Sequence, residues 1–146
     1  MSKRFFTARA IVIHPALPKR NKKSTRLKEE LLKEAVGLAL AINLQIVSSK
    51  TITLNIINSG TFLGKGIIEE LKESILYNKI NLIIINHPLT PIQQRNLEGS
   101  LSCKVIDRTA LILEIFGKRA ITREGSLQVE LASLNYQKSR LVRSWT

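Results

Sequence analysis

At 146 residues with 44% hydrophobic content, the chain is long enough for one compact α/β domain with an appended element, and too short for a second full enzyme domain. A formal charge of +12 implies an anionic partner, nucleic acid before acidic lipid, because phosphates neutralise positive self-repulsion. The single cysteine, Cys103, excludes an intramolecular disulfide framework, and no apolar run approaches the roughly 20 residues of a bilayer span, so a reduced, cytoplasmic protein is expected.

The basic excess is mainly N-terminal: residues 1–50 hold eleven Lys or Arg against three Glu, and residues 51–146 hold twelve against eight acids. The opening MSKRFFTARAIVIHP has the basic-then-apolar order of a secretory signal. Its apolar run is short and ends on His14-Pro15 without a small-residue cleavage site, so a first strand is the expected reading.

In chain order, residues 8–13 predict that strand, and Pro15 and Pro18 open a basic loop carrying Lys19, Arg20, Lys22 and Lys23. Ser24 or Thr25 can cap a helix whose buried face is Leu27, Leu31, Ala35, Leu38 and Ile42, running to about Ile42. Residues 44–57 read as two short strands, or one strand broken at Ser48-Ser49-Lys50, with ITLNII the firmer half. A glycine loop from Gly60 to Gly66 precedes a helix through IIEELKESILY, and LIIIN at 82–86 is a buried strand. Strand, helix, strand is the parallel βαβ rhythm.

Thr90-Pro91-Ile92-Gln93 combines an N-cap hydroxyl, Pro at the first helical position and a capping-box Gln, so a helix starts there and ends near Gly99. Ile92 and Leu97 are expected in its core face. VID at 105–107 is a short strand. The remainder is helical with a break around Gly117 and Gly125, and Leu127, Leu131, Leu134, Leu141 and Trp145 have heptad spacing if Lys138 fills the intervening seam position. The expected class is α/β: a small parallel sheet with flanking helices over 1–116, then a long C-terminal helix over 117–146.

Several residues could carry chemistry. The Gly64-Lys65-Gly66 turn lies where backbone amides and a helix dipole can hold phosphate, though it lacks Walker A spacing and reads first as a bare turn. Gln93, Gln94, Arg95 and Asn96 can donate to phosphate, ribose or base edges, or form a solvated helix face. Asp107-Arg108 ends a strand at the edge where parallel sheets present ligand contacts, or forms a structural clamp. Lys118, Arg119 and Arg123 surround the final bend and can grip RNA phosphate, with Glu124 orienting the arginines. His14 and His87 have no metal-ligand spacing, and Cys103 reads as a buried small hydrophobe. No catalytic residue is assigned.

The stretch from Thr90 to Ala132, TPIQQRNLEGSLSCKVIDRTALILEIFGKRAITREGSLQVELA, resembles the N-terminal domain of the HflX-type ribosome-associated GTPases. That domain carries P-x-Q-Q-R-N-L-E, K-V-I-D-R-T and R-x-x-T-R-E-G-x-L-Q-V-E-L-A. The chain departs from the pattern at Ile67, where the family has Lys, and at Asn86-His87-Pro88, where the family has an acidic pair.

The resemblance implies a parallel α/β unit followed by the first half of a projecting helical hairpin. It also implies binding to the large ribosomal subunit and its RNA, in ribosome splitting or rescue. GTP hydrolysis with Mg belongs to a later domain, and this chain lacks P-loop and guanine-specificity motifs. The family's link to ATP implies a nucleotide site, with Gly64, Lys65, Gly66, Arg95 and Arg108 as its candidates. Lys19, Arg20, Lys22, Lys23, Gln93, Gln94, Arg95, Asn96, Lys118, Arg119 and Arg123 are the candidate RNA contacts. The competing expectation is a truncated, regulatory or non-functional piece of such a protein, whose exposed helix seam would self-associate.

Overall fold

A computed structural model describes residues 8–17, 24–119 and 123–139. Four parallel strands form one sheet in the order β2-β1-β3-β4: β1 (Arg9–Ala16), β2 (Gln45–Thr53), β3 (Leu82–Ile85) and β4 (Lys104–Asp107). The helices are α1 (Ser24–Leu40), α2 (Lys65–Asn78), α3 (Pro91–Leu101), α4 (Arg108–Arg119) and α5 (Arg123–Ser139). The strands alternate two cores. Ile11, Ile13, Ile83, Ile85 and Val105 face Leu71, Ile75, Leu97 and Leu101 of α2 and α3. Ala10, Val12, Leu82, Ile84 and Ile106 face Ala35, Ala39, Leu111 and Ile115 of α1 and α4. The sheet is therefore covered on both sides, which is why β1 and β3 read as unbroken apolar runs.

β1 is longer than expected and runs through Pro15 to Ala16. Ile13 O accepts from Asn86 N on the β3 side and Ala16 O accepts from Leu54 N on the β2 side, so odd positions of β1 point towards β3. Pairing with β3 stops at Ile13–Ile85, and the donor that Pro15 lacks falls where no ladder partner remains.

The expectation for residues 44–57 needs correcting. β2 passes through Ser48-Ser49-Lys50 without a break, whereas Asn55, Ile56 and Ile57 leave the sheet. β2 is an edge strand paired only with β1, so it tolerates polar residues on its half-exposed faces. The irregularity is a register shift between Ala10 and Ile11, whose partners are Ile46 and Ser48. Ile56 is 83% exposed in the loop beyond.

That loop turns back through Asn58 and Phe62, which exchange backbone hydrogen bonds of 2.8 and 3.2 Å. Asn58 Oδ1 accepts from the N–H groups of Gly60 and Thr61. Phe62 takes the left-handed conformation, φ 64°, at a cost of roughly 1–2 kcal/mol for an L-residue. Burial of its ring, 1% exposed and 5.0 Å from the His87 ring, offsets this.

α4 and α5 form an antiparallel pair: Gly117 lies against Val129, and Asp107, just before α4, meets Tyr136 near the end of α5. α4 is described to Arg119 and α5 from Arg123, so Gly117 and Gly125 both lie inside helices. Leu127, Leu131 and Leu134 are exposed on α5; Leu141 and Trp145 lie outside the described residues. No helix among the described residues is long and apolar enough to cross a membrane.

Phe62→Ala is expected to destabilise the chain by about 3–5 kcal/mol in urea unfolding, because the lost ring outweighs any relief of the positive φ. Phe62→Gly, which removes that strain, should still lie well below the wild type.

Candidate functional site

Helix α3 begins as its sequence dictates. Thr90 Oγ1 accepts from Gln93 N at 3.1 Å and Gln93 Oε1 accepts from Thr90 N at 3.0 Å, a complete capping box with Pro91 at the start. The polar residues of this helix divide between two jobs. Gln93, Gln94 and Glu98 are buried, and Ile92, expected in the core, is exposed at 64%. Spacing explains the exchange: Gln93, Gln94, Leu97, Glu98 and Leu101 share the inward stripe, and Ile92 falls outside it.

The inward polar side chains, and the exposed Asn96, meet backbone groups of neighbouring segments. Gln93 Nε2 donates to Asn58 O at 3.1 Å, and Asn96 Nδ2 to Gly60 O at 2.9 Å, which together hold the β2–α2 loop. Gln94 Nε2 donates to Val105 O at 3.0 Å, while Val105 N donates to Glu98 Oε2 at 3.2 Å. Arg95 alone of the four-residue run points its charge to solvent, with no ion pair among the described residues.

At the end of β4, Asp107 is fully buried. Its carboxylate accepts from Leu89 N (3.0 Å), Ala110 N (3.0 Å) and Tyr136 Oη (2.7 Å), so it caps α4 and ties the loop before α3 and the helix α5 to the same point. Arg108 points the other way. Its Nη2 meets Glu34 of α1 at 2.7 Å and its Nη1 donates to Asn86 Oδ1 at 2.8 Å. Arginine only donates, so the Asn86 amide orientation is fixed, and its Nδ2 faces His14 Nδ1 at 3.0 Å. His14 therefore accepts at Nδ1.

The structure does not unite the residues predicted to hold a nucleotide. Gly64 and Gly66 open α2, with Lys65 as its first residue, on the α2–α3 face; Arg108 belongs to the α1–α4 face. Gly64 has φ −72°, and a Cβ there would meet nothing within 4 Å, so the turn does not need glycine for shape. Among the predicted RNA contacts, Lys19, Arg20, Lys22 and Lys23 lie outside the described residues, as do the side chains of Arg119, Arg123 and Glu124. Lys118 Nζ donates to Ala41 O at 3.3 Å. No group of three or more His, Cys, Asp or Glu among the described residues could hold a metal ion.

Sequence reasoning misses the meeting of His14 with Asn86-His87, because neither histidine has metal-ligand spacing to draw attention to it. Their common signal is the ending of two apolar runs, IVIHP and IIINHP, on a His-Pro pair. β1 and β3 are adjacent and parallel, so the two endings meet at one end of the sheet.

Cys103 is half-buried beside Ile80 O, and burial, with the nearby Glu98 carboxylate, pushes its thiol up to about 11. A raised thiol pKa means stability from this group is present below the ordinary value of 9.0 and is lost as pH rises through about 11. Disulfide exchange at pH 8 should run far slower in the native chain than after urea unfolding, and Cys103→Ser should remove part of the alkaline stability loss. Glu98→Ala, which leaves the buried Val105 N–H without an acceptor, is expected to cost about 1–3 kcal/mol in urea unfolding. Tyr136→Phe should leave the sheet intact and speed amide exchange in α5.

Comparison with known proteins fits this architecture. A domain described as "GTP-binding GTPase N-terminal" matches residues 29–117, and one described as "GTP-binding GTPase Middle Region" matches 119–146. The GTPase HflX of Magnetococcus marinus is 49% identical over 138 residues, 94% of this chain and 31% of that protein. The GTPase HflX of Escherichia coli is 49% identical over 85 residues, 58% of this chain and 20% of that protein. The chain thus spans about a third or less of these relatives. A solved GTP-binding protein from Sulfolobus solfataricus in complex with GDP shares the fold, with TM-score 0.68 and 22% identity over 91% of this chain and 38% of that one. With the N-terminal match running from α1 to α4, the chain belongs to the GTP-binding GTPase N-terminal family, in the form found in the HflX GTPases.

Proposed function

We propose that this domain docks an HflX-type GTPase onto RNA of the large ribosomal subunit, with no part of GTP hydrolysis carried by these residues. The carrying observation is the charge of +12 combined with how the fold disposes of its polar groups. Gln93, Gln94 and Asn96 are engaged by backbone within the domain, whereas Arg95 and Lys65 stand exposed without ion pairs among the described residues. RNA contact through α3 therefore falls to Arg95, supported by the basic residues 19–23 and by Arg119 and Arg123 at the α4–α5 junction. Unpaired surface cations release counterions from phosphate, which supplies affinity without demanding a sequence-specific pocket.

A second reading is favoured by one feature of α2. Its N-cap, Gly64, provides no side-chain acceptor, so the first amides of the helix, with Lys65 and Arg95 on the same face of the sheet, could receive the phosphates of ATP or GTP. Arg108, turned to the opposite face, drops out of that reading.

Cosedimentation with isolated large subunits should show saturable binding that weakens steeply between low and moderate salt. Arg119→Glu/Arg123→Glu should reduce affinity by about tenfold or more, and Arg95→Glu should lower the salt slope by about one. Gln93→Ala should act through stability rather than through slope. Unchanged binding in all the arginine variants would overturn the docking surface. For the nucleotide reading, a thermal shift with millimolar ATP or GTP that disappears in Lys65→Glu is the expected result, and no shift removes it.

A further inference from the structure

The strand order places a crevice where no described contact closes it. From β1 the chain moves outward to β2 through α1 on one face, then returns across β1 to β3 through α2 on the other. The ends of β1 and β3 are therefore the point at which the connections diverge, the place where open α/β sheets take ligands. A pocket of about 290 Å³ lies there, at the lower end of small-molecule sites, which run on the order of 300–1,000 Å³. It is walled by Leu17, Leu27 and Leu31, with His14 and Asn86 among its polar lining and Lys28 as the one Lys or Arg among its described residues.

The polar end is built rather than incidental. Glu34 and Asn86 hold Arg108, Arg108 orients the Asn86 amide, and Asn86 donates to His14 Nδ1 and, at 3.4 Å, to Leu31 O. His14 is 8% exposed and Asn86 6%, and this hydrogen-bonded network fixes the two side chains in place at the polar end of the pocket. Lys28 is half-buried in the second turn of α1 and makes no ion pair among the described residues. Lys28 beside largely aliphatic walls suits an acidic group on an apolar body.

We infer that the crevice between the ends of β1 and β3 binds a small amphipathic anion, with its apolar body against Leu17, Leu27 and Leu31 and its acidic group towards Lys28. This site lies away from the α2 turn, and the inference rests on neither RNA docking nor nucleotide binding.

Titration of the full chain with 1-naphthoate, followed by amide NMR, tests it, with neutral 1-naphthalenemethanol as the uncharged isostere. Saturable shifts confined to the amides around His14, Leu17, Leu31 and Asn86 are expected. Lys28→Glu should weaken naphthoate about fivefold, as loss of one partly exposed charge contact would, and leave the alcohol unchanged. Leu31→Trp, which fills the cavity, should abolish both. If that variant fails to fold, the half-exposed Lys28→Glu decides the matter alone. Absence of saturation, shifts centred on Leu127, Leu131 and Leu134 of α5, or displacement of naphthoate by equimolar ATP or inorganic phosphate would each overturn the proposal.

Discussion

The outer edge of β4 governs much of this domain, because a parallel sheet buried on both faces still exposes the backbone of its last strand. Here the N–H and C=O of Val105 are met by Glu98 and Gln94, four residues apart on α3. One helical turn brings such residues onto one face, and their amide and carboxylate supply the donor and acceptor that a fifth strand would provide. The arrangement sets the roll of α3 about its axis. With Gln94 and Glu98 facing β4, Gln93 and Asn96 can reach the β2–α2 loop, and Ile92 is left outside.

The same edge anchors the C-terminal helices. Tyr136 Oη, bonded to Asp107 at 2.7 Å, also lies 3.5 Å from Gln94 Oε1, so α5 is tied to the polar network that closes the sheet. Asp107 makes the cap of α4, the position of Leu89 and the seat of Tyr136 one structural unit. Such a unit is costly to leave half-satisfied, because a buried acceptor without donors carries its full desolvation penalty. That cost explains why so polar a motif occurs inside a small domain. Its residues specify how the helices sit, and the apolar residues around them supply the bulk of the stabilisation.

Legibility in the sequence varied with the range of the interaction. The start of α3 was readable because a capping box is closed within four residues. β3 and the sheet class were readable because a strand buried on both faces must be apolar throughout. β2 misled, since an edge strand obeys a looser pattern and Ser48-Ser49-Lys50 sit comfortably within it, while the more apolar Ile56 and Ile57 lie in a loop. Gln93 and Gln94 were ambiguous between ligand contacts and solvent face, because their partners, Asn58 O and Val105 O, are 35 and 11 residues away. The His14 and Asn86 meeting was hidden, being a contact across 72 residues.

By itself, then, the amino-acid sequence determined the βαβ rhythm, the helix start at Thr90, the basic balance and the family resemblance, all carried by local pattern and composition. Tertiary structure alone decided which polar residues face inward, which face of the sheet receives Arg108, and that two His-Pro endings share one crevice. The physical reason is that hydrogen bonds and burial depend on which segments become neighbours. In a parallel sheet every neighbour is reached by a crossover, so the groups at one end of it come from distant parts of the chain.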